Sequence, residues 1–448
     1  MRSYLFNAVI VFAVLFQSPE SVPQQFEQLR QEANAQRKSG DLHGRLQTVL
    51  KMEKLLNEAP DAIEAAALAY AEVGDKEHAL AALNRFANLG QADDELMPGK
   101  SKALANLEKL PEYKLLLNRF AENKTPVSHA ETVITLEDPN ILAEDIDYDA
   151  HSKSFLLTSV LEKKIIRVTM DGEATDFAQS PSHWPMLAIK IDANHNLVWA
   201  TEVAMEGFSA APKSDWGRSA VVCFDLKTGT LRQRIEAPGK SAFGDMVLTG
   251  QGSPIVSDGE GGGVYRVGAD RLERIDAGEF ISPQTSAMHP DGRQVFVPDY
   301  ARGIGLLDLA SRKIVWLDQS VPKFAINGID GLYFDRGFLI ATQNGTSPER
   351  VARFQLDATM TQIVSEEIIE RATPTLGDPT HGVLVGDSFY YIANSGWNNL
   401  DDAGNVKAGA KLTSARIMRY RHPVTGGETD FPGAGMGTKS RVSGSFRH

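Results

Sequence analysis

The apolar positions of this chain change rhythm near residue 125. Over residues 23–125 Ala, Leu, Glu, Lys and Gln dominate, and apolar residues recur three and four apart, as at Leu46, Val49, Leu50 and Leu55. That spacing puts them on one face of a helix. Gly40-Asp41 and Gly74-Asp75 lie 34 residues apart, and the same offset relates Leu46 to Leu80, Val49 to Leu83 and Met52 to Phe86. Such a period predicts stacked helix–turn–helix units that bury a continuous seam. A third unit over 101–123 is degenerate, and Pro111 separates its two helices.

Helix formers then give way to Pro126 and to β-branched residues. Over residues 131–431 a short apolar motif recurs six times. It begins at Ile165, Val221, Val264, Ile304, Val351 and Ile417, with copies 40 to 66 residues apart. Each copy follows another strand-like run, and most precede a turn and a further run, as at 231–236 and 272–276. An innermost strand added to each set makes four strands per unit. Six such units predict a mainly β chain, a six-bladed β-propeller with an N-terminal α-helical module. The run 132–136 is the candidate strand that closes the ring.

The chain has 448 residues, of which 42% are hydrophobic, so a mainly disordered chain is excluded. Lys and Arg number 46 against 58 Asp and Glu, and the net charge of −12 argues against nucleic acid as a partner. The single cysteine, Cys223, allows neither an intramolecular disulfide nor a cysteine-based zinc site, and its apolar strand makes it a structural thiol. At the N-terminus Arg2 precedes an apolar run over 4–16 that only Asn7 interrupts. The run is shorter than the ~20 residues of a membrane-spanning helix. Residues 1–22 therefore read as an export signal, which implies a periplasmic or secreted protein. The alternatives are a buried first helix and an uncleaved anchor. No other run suits a transmembrane span. Residues 432–448 read as a flexible tail; their Gly-rich "GAGMGTKS" lacks the residue order of a phosphate loop.

In a propeller the innermost strands converge on one channel. Aligning the start of each inner strand gives a ring of Glu144, Leu187, Gly244, Gln284, Asp330 and His381, with Asp145 and Asp245 one residue further on. Carboxylates crowded round a narrow channel are costly unless neutralised, and a divalent cation is the simplest partner. Hard oxygen donors favour Ca²⁺, with Mg²⁺ next. The alternative is that these acids face water or bond to neighbouring backbone. Asp330 and His381 are the candidate catalytic groups, as general bases toward water. Trp184 and Trp397 are candidates for apolar walls over the channel, or else for packing between blades.

Two resemblances follow from these residues. The 34-residue period, with Tyr70, Gly74 and Ala79 in place, resembles the tetratricopeptide repeat over about two repeats. It implies either a docking surface for a protein partner or a cap on the next domain. The segments "AEDIDYD" (143–149), "FGDMVL" (243–248), "SPQTSAMHPDG" (282–292) and "GIDGLYFD" (328–335) resemble the senescence-marker-protein/gluconolactonase-like propellers, with strictosidine-synthase-like proteins and paraoxonases. The resemblance spans roughly 131–431. It implies a small-molecule substrate in the channel and a metal held by Glu144, Asp330, Gln284 and Asp245. Glu144 and Asp330 match that pattern, whereas Gly244 and Gln284 stand where the family has asparagine. The implied activity is metal-dependent hydrolysis of lactones or related esters. The alternative is a non-catalytic propeller that binds a ligand or a protein.

Overall fold

The structure is a computed structural model that describes residues 21–208, 211–320 and 323–422. Most of the expected export signal and the expected tail lie outside the described residues, in which no helix is long and apolar enough to cross a membrane.

The helical region runs α1 (Val22–Ser39), α2 (Leu42–Leu55), α3 (Pro60–Glu72), α4 (Lys76–Asn88) and α5 (Pro111–Asn123). The repeated Gly-Asp pair explains its punctuation. Gly40 takes a left-handed φ of 77° at the end of α1, a conformation that favours glycine. Asp41 and Asp75 then cap α2 and α4, accepting from Gly44 N at 2.9 Å and His78 N at 3.2 Å. Small residues such as Ala66, Ala67, Ala79 and Ala82 are fully buried, so the helix pairs pack closely. The degenerate third unit has only the short 3-10 turn Lys102–Asn106 before α5, and Pro111 opens α5 where its missing N–H costs nothing. The helices form hairpins in series; the tetratricopeptide assignment itself stays an expectation.

Six sheets follow in a ring, antiparallel except where Asp318–Gln319 adds in parallel to Gln362–Arg371. Their innermost strands are Ala143–Asp149, Met186–Asp192, Phe243–Leu248, Ala287–Met288, Gly331–Asp335 and Gly382–Val385, and we number the blades in that order. The six recurring motifs are the third strands, for example Lys164–Thr169, Arg218–Asp225 and Arg416–Arg421. Blade 4 keeps only two residues in its inner strand, with Pro283 and Pro290 on either side. The ring closes where Ala130–Thr135 joins Arg416–Arg421 as the outer strand of blade 6. Just before it, Val127–Ser128 pairs with Gln362–Arg371 of blade 5, so one short segment ties two blades.

The core is a ring of apolar seams, one at each blade junction. Phe155 and Ile166 of blade 1 meet Tyr390 and Ile417 of blade 6, and Phe296 and Leu306 of blade 4 meet Leu339 and Phe354 of blade 5. The helical region packs against blades 3 to 5 at the end where the inner strands begin. Arg302 Nε donates to Leu55 O at 3.1 Å, Asn57 Nδ2 donates to Arg302 O at 3.0 Å, and Ser347 Oγ donates to Ala92 O at 3.1 Å. Leu56, Ala59 and Ala62 bury themselves there against Ile281 and Ala301.

Candidate functional site

The inner strands of blades 1, 5 and 6 bring Glu144, Asp330 and His381 together at this end of the channel. One ligand-type atom from each lies within 4.8 Å of the others. All three side chains are buried, with Glu144 and Asp330 9% exposed and His381 1%. The backbone sets their positions. Asp330 N donates to Thr342 O at 2.9 Å within blade 5, and Thr285 N of blade 4 donates to Asp330 O at 3.1 Å.

His381 is held at both nitrogens. Nδ1 lies 2.8 Å from Glu144 O, and a carbonyl only accepts, so Nδ1 carries a proton. Nε2 lies 3.0 Å from Asp245 Oδ1, which also accepts from Thr285 Oγ1 at 2.7 Å. Asp145, fully buried between blades 1 and 2, accepts from Lys190 Nζ at 2.6 Å and from Ile189 N at 2.8 Å. Gln284 turns its amide nitrogen to Ser282 Oγ at 3.0 Å, so its donor bonds go to its own loop.

Charge bookkeeping singles out two of these acids. Asp145 has Lys190, and Asp245 has His381. Glu144 and Asp330 have only neutral donors: Trp397 Nε1 reaches Glu144 Oε2 at 2.5 Å, and Asn344 Nδ2 reaches Asp330 Oδ2 at 2.9 Å. Burial therefore pushes both carboxyls up from their ordinary range. Repulsion from Asp330 adds to the rise at Glu144, while His381 opposes it at both. Burial alone would lower His381, but Asp145, Asp330 and Asp245 outweigh it and hold the imidazole well above its usual value. Two buried carboxyls that share one imidazole and otherwise have neutral donors are a place where a further cation is stabilised.

Trp397 belongs to the site, on the long blade-6 loop between Ile392 and Arg416, packed near Phe208 with ring centroids 6.2 Å apart. Trp184 does not; its indole donates to Asp215 at 3.1 Å, and its ring lies between Arg218 and Arg234 in blade 2. Asn344 and Tyr300 also reach the site, and no motif marks either. Cys223 is buried, and burial pushes its thiol up to about 12, which suits a packing role.

No family model matches the chain, and no curated protein does. Solved structures do resemble it. A gluconolactonase from Xanthomonas campestris is 13% identical, with 67% of this chain and 100% of that one covered, at a TM-score of 0.43. A calcium-binding protein, regucalcin, from Agrobacterium tumefaciens is 15% identical over 66% of this chain and 97% of its own, at 0.44. Virginiamycin B lyase from Staphylococcus aureus is 14% identical over 64% and 98%, at 0.44. At these identities and TM-scores the likeness carries no argument about this chain; the six-bladed propeller rests on its own sheets.

Proposed function

We propose that this protein is a divalent-cation-dependent hydrolase of lactones or related esters, acting at the channel mouth. The observation that carries the reading is the buried pair Glu144 and Asp330, whose hydrogen-bond donors are neutral, with His381 in reach of both. These residues fit a cation. Nδ1–H of His381 is committed to a backbone carbonyl, so Nε2 is the nitrogen that would ligate, and it would do so only after giving up the proton it shares with Asp245. Glu144, Asp330 and His381 would hold the ion. Two carboxylates and one imidazole form a softer set than the all-oxygen set expected for Ca²⁺, and suit Mn²⁺ or Zn²⁺ as well. Bound there, the cation would supply Lewis acidity toward a carbonyl oxygen.

The chain's own residues would do the rest. Asp245 Oδ1 faces His381 Nε2 and is fixed by Thr285 Oγ1, so it is placed to accept a proton from water once Nε2 has lost its own. Trp397 and Asn344 hold the two carboxylates in place.

The test is calorimetric titration of Mn²⁺, Zn²⁺ and Ca²⁺ into chelator-treated protein, with a panel of γ- and δ-lactones and aryl esters assayed alongside. One ion should bind per chain, and Glu144→Gln or Asp330→Asn should abolish both binding and turnover. No binding by the wild-type protein overturns the reading. Binding without any turnover supports the second reading, a non-catalytic ligand-binding propeller. That reading has one observation in its favour: both nitrogens of His381 already have partners, so the network is closed without a substrate.

A further inference from the structure

Asp330 has a partner that is itself oriented from behind. Asn344 Nδ2 donates to Asp330 Oδ2 at 2.9 Å, and Tyr300 Oη donates to Asn344 Oδ1 at 3.0 Å. The directions are forced. An amide oxygen only accepts, so the phenol is the donor, and the amide nitrogen is left to face the carboxylate. Without that phenol proton the amide is free to rotate by half a turn and set its oxygen against Asp330. The phenol is held neutral, since burial raises it and Asp330, Asp378, Asp61 and Glu349 add to the rise.

Tyr300 sits in a built niche. Its N–H donates to Ser282 O at 2.8 Å, and its carbonyl accepts from Gly328 N at 2.9 Å. A Cβ on Gly345 would lie 2.5 Å from the Tyr300 Cζ and hydroxyl, so only glycine admits the phenol there. Gly328, at φ +61°, is equally tight, since its Cβ would lie 2.4 Å from Gly345 backbone. Beyond this niche a cavity of about 210 Å³ is lined by Tyr300, Gly328 and Gly345 of the propeller and by Met52, Ala62 and Ala65 of the helices. The chain of donors thus runs from the helical interface to the cluster.

We propose that Tyr300 and Asn344 are positioning residues, a one-way relay that fixes the Asp330 carboxylate for cation binding. The proposal rests on the cation reading above. It is tested by Mn²⁺ titration of the full chain as wild type, Tyr300→Phe, Asn344→Ala and the double variant, with thermal melting of each. Tyr300→Phe keeps the ring and removes one oxygen. It should weaken Mn²⁺ binding about 10- to 100-fold, the range for groups that orient a metal's ligands, with melting unchanged. The double variant should bind no more weakly than Asn344→Ala alone, because Tyr300 acts only through Asn344. If Tyr300→Phe binds Mn²⁺ as the wild type does, or if the two losses add, the relay is overturned while the cation reading stands. If the wild type binds no Mn²⁺, the cation reading falls and takes the relay with it.

Discussion

Arg350 offers a demanding test of how the helices are held on the propeller. It opens the third strand of blade 5 and is 0% exposed. Its guanidinium reaches Leu89 O and Gly90 O, each at 3.4 Å, just past the end of α4, where carbonyls are left without helical partners. Its only nearby carboxylate among the described ion pairs is Glu366, at 3.6 Å, whose Oε1 is buried with no hydrogen-bond donor. Arg350→Met removes the guanidinium, leaves Glu366 to the charge of Arg371 alone, and takes a donor from Gly90 O and from Leu89 O, the second of which keeps Gln91 Nε2. Removing one partner of a buried pair costs about 3–5 kcal/mol. Arg350→Met/Glu366→Gln should recover much of that loss, because the Glu366 charge has gone. The five tryptophans all lie in the propeller, and of these Trp316 borders the helices, so Trp316→Phe is used as the background in which fluorescence follows the propeller, while far-ultraviolet circular dichroism also follows the helices. In urea, the variant should lose its helical signal before its fluorescence changes. Coincident transitions and a loss under about 1 kcal/mol would show that Arg350 does not anchor the helices.

Three further outcomes are expected. Burial, and then Asp93, Asp61 and Glu95, push Glu64 of α3 up to about 7, so the folded state keeps a proton that the unfolded chain has released. Stability should therefore fall as pH rises from the ordinary glutamate range to about 7, and Glu64→Gln should flatten that part of a pH series of urea midpoints. Trp397→Phe removes the indole donor that lowers Glu144, so protons should compete better with the cation; Mn²⁺ titrations should show a loss that is larger at acid pH. Gly345→Ala should destabilise the fold by about 1–3 kcal/mol through overpacking against Gly328 and Tyr300, read as a lowered unfolding midpoint.

Much of the architecture is legible because it is local and repeated. The Gly-Asp pairs at 40–41 and 74–75 stop one helix and cap the next, so their spacing is the spacing of the hairpins. The third strands show as a motif because each is buried on both faces between neighbouring blades, which demands an apolar run. Blade 4 is harder to read, since its inner strand shrinks to Ala287–Met288.

At the site, alignment of strand starts finds Glu144, Asp330 and His381, because equivalent positions on inner strands share one channel. It also nominates Gln284 on the same grounds, and there the amide nitrogen donates to Ser282 Oγ within its own loop. Rotamers of this kind are settled by neighbours a few residues away in space, which no spacing rule contains. Asn344 directly follows a second strand, Tyr300 lies in a turn between strands of another blade, and Trp397 comes from a long loop. Their partners are 14, 44 and 253 residues away in sequence.

The sequence alone determines the helical hairpins, the six-fold count of blades and the surplus of acid at the channel, since each follows from periodicity or composition. The tertiary structure decides which acids keep a cation and which do not. Lys190 serves Asp145 and His381 serves Asp245, and Glu144 and Asp330 are left with neutral donors. That division depends on distances of about 3 Å between residues from different blades, over which hydrogen bonds and burial act, and these exist only once the ring has closed.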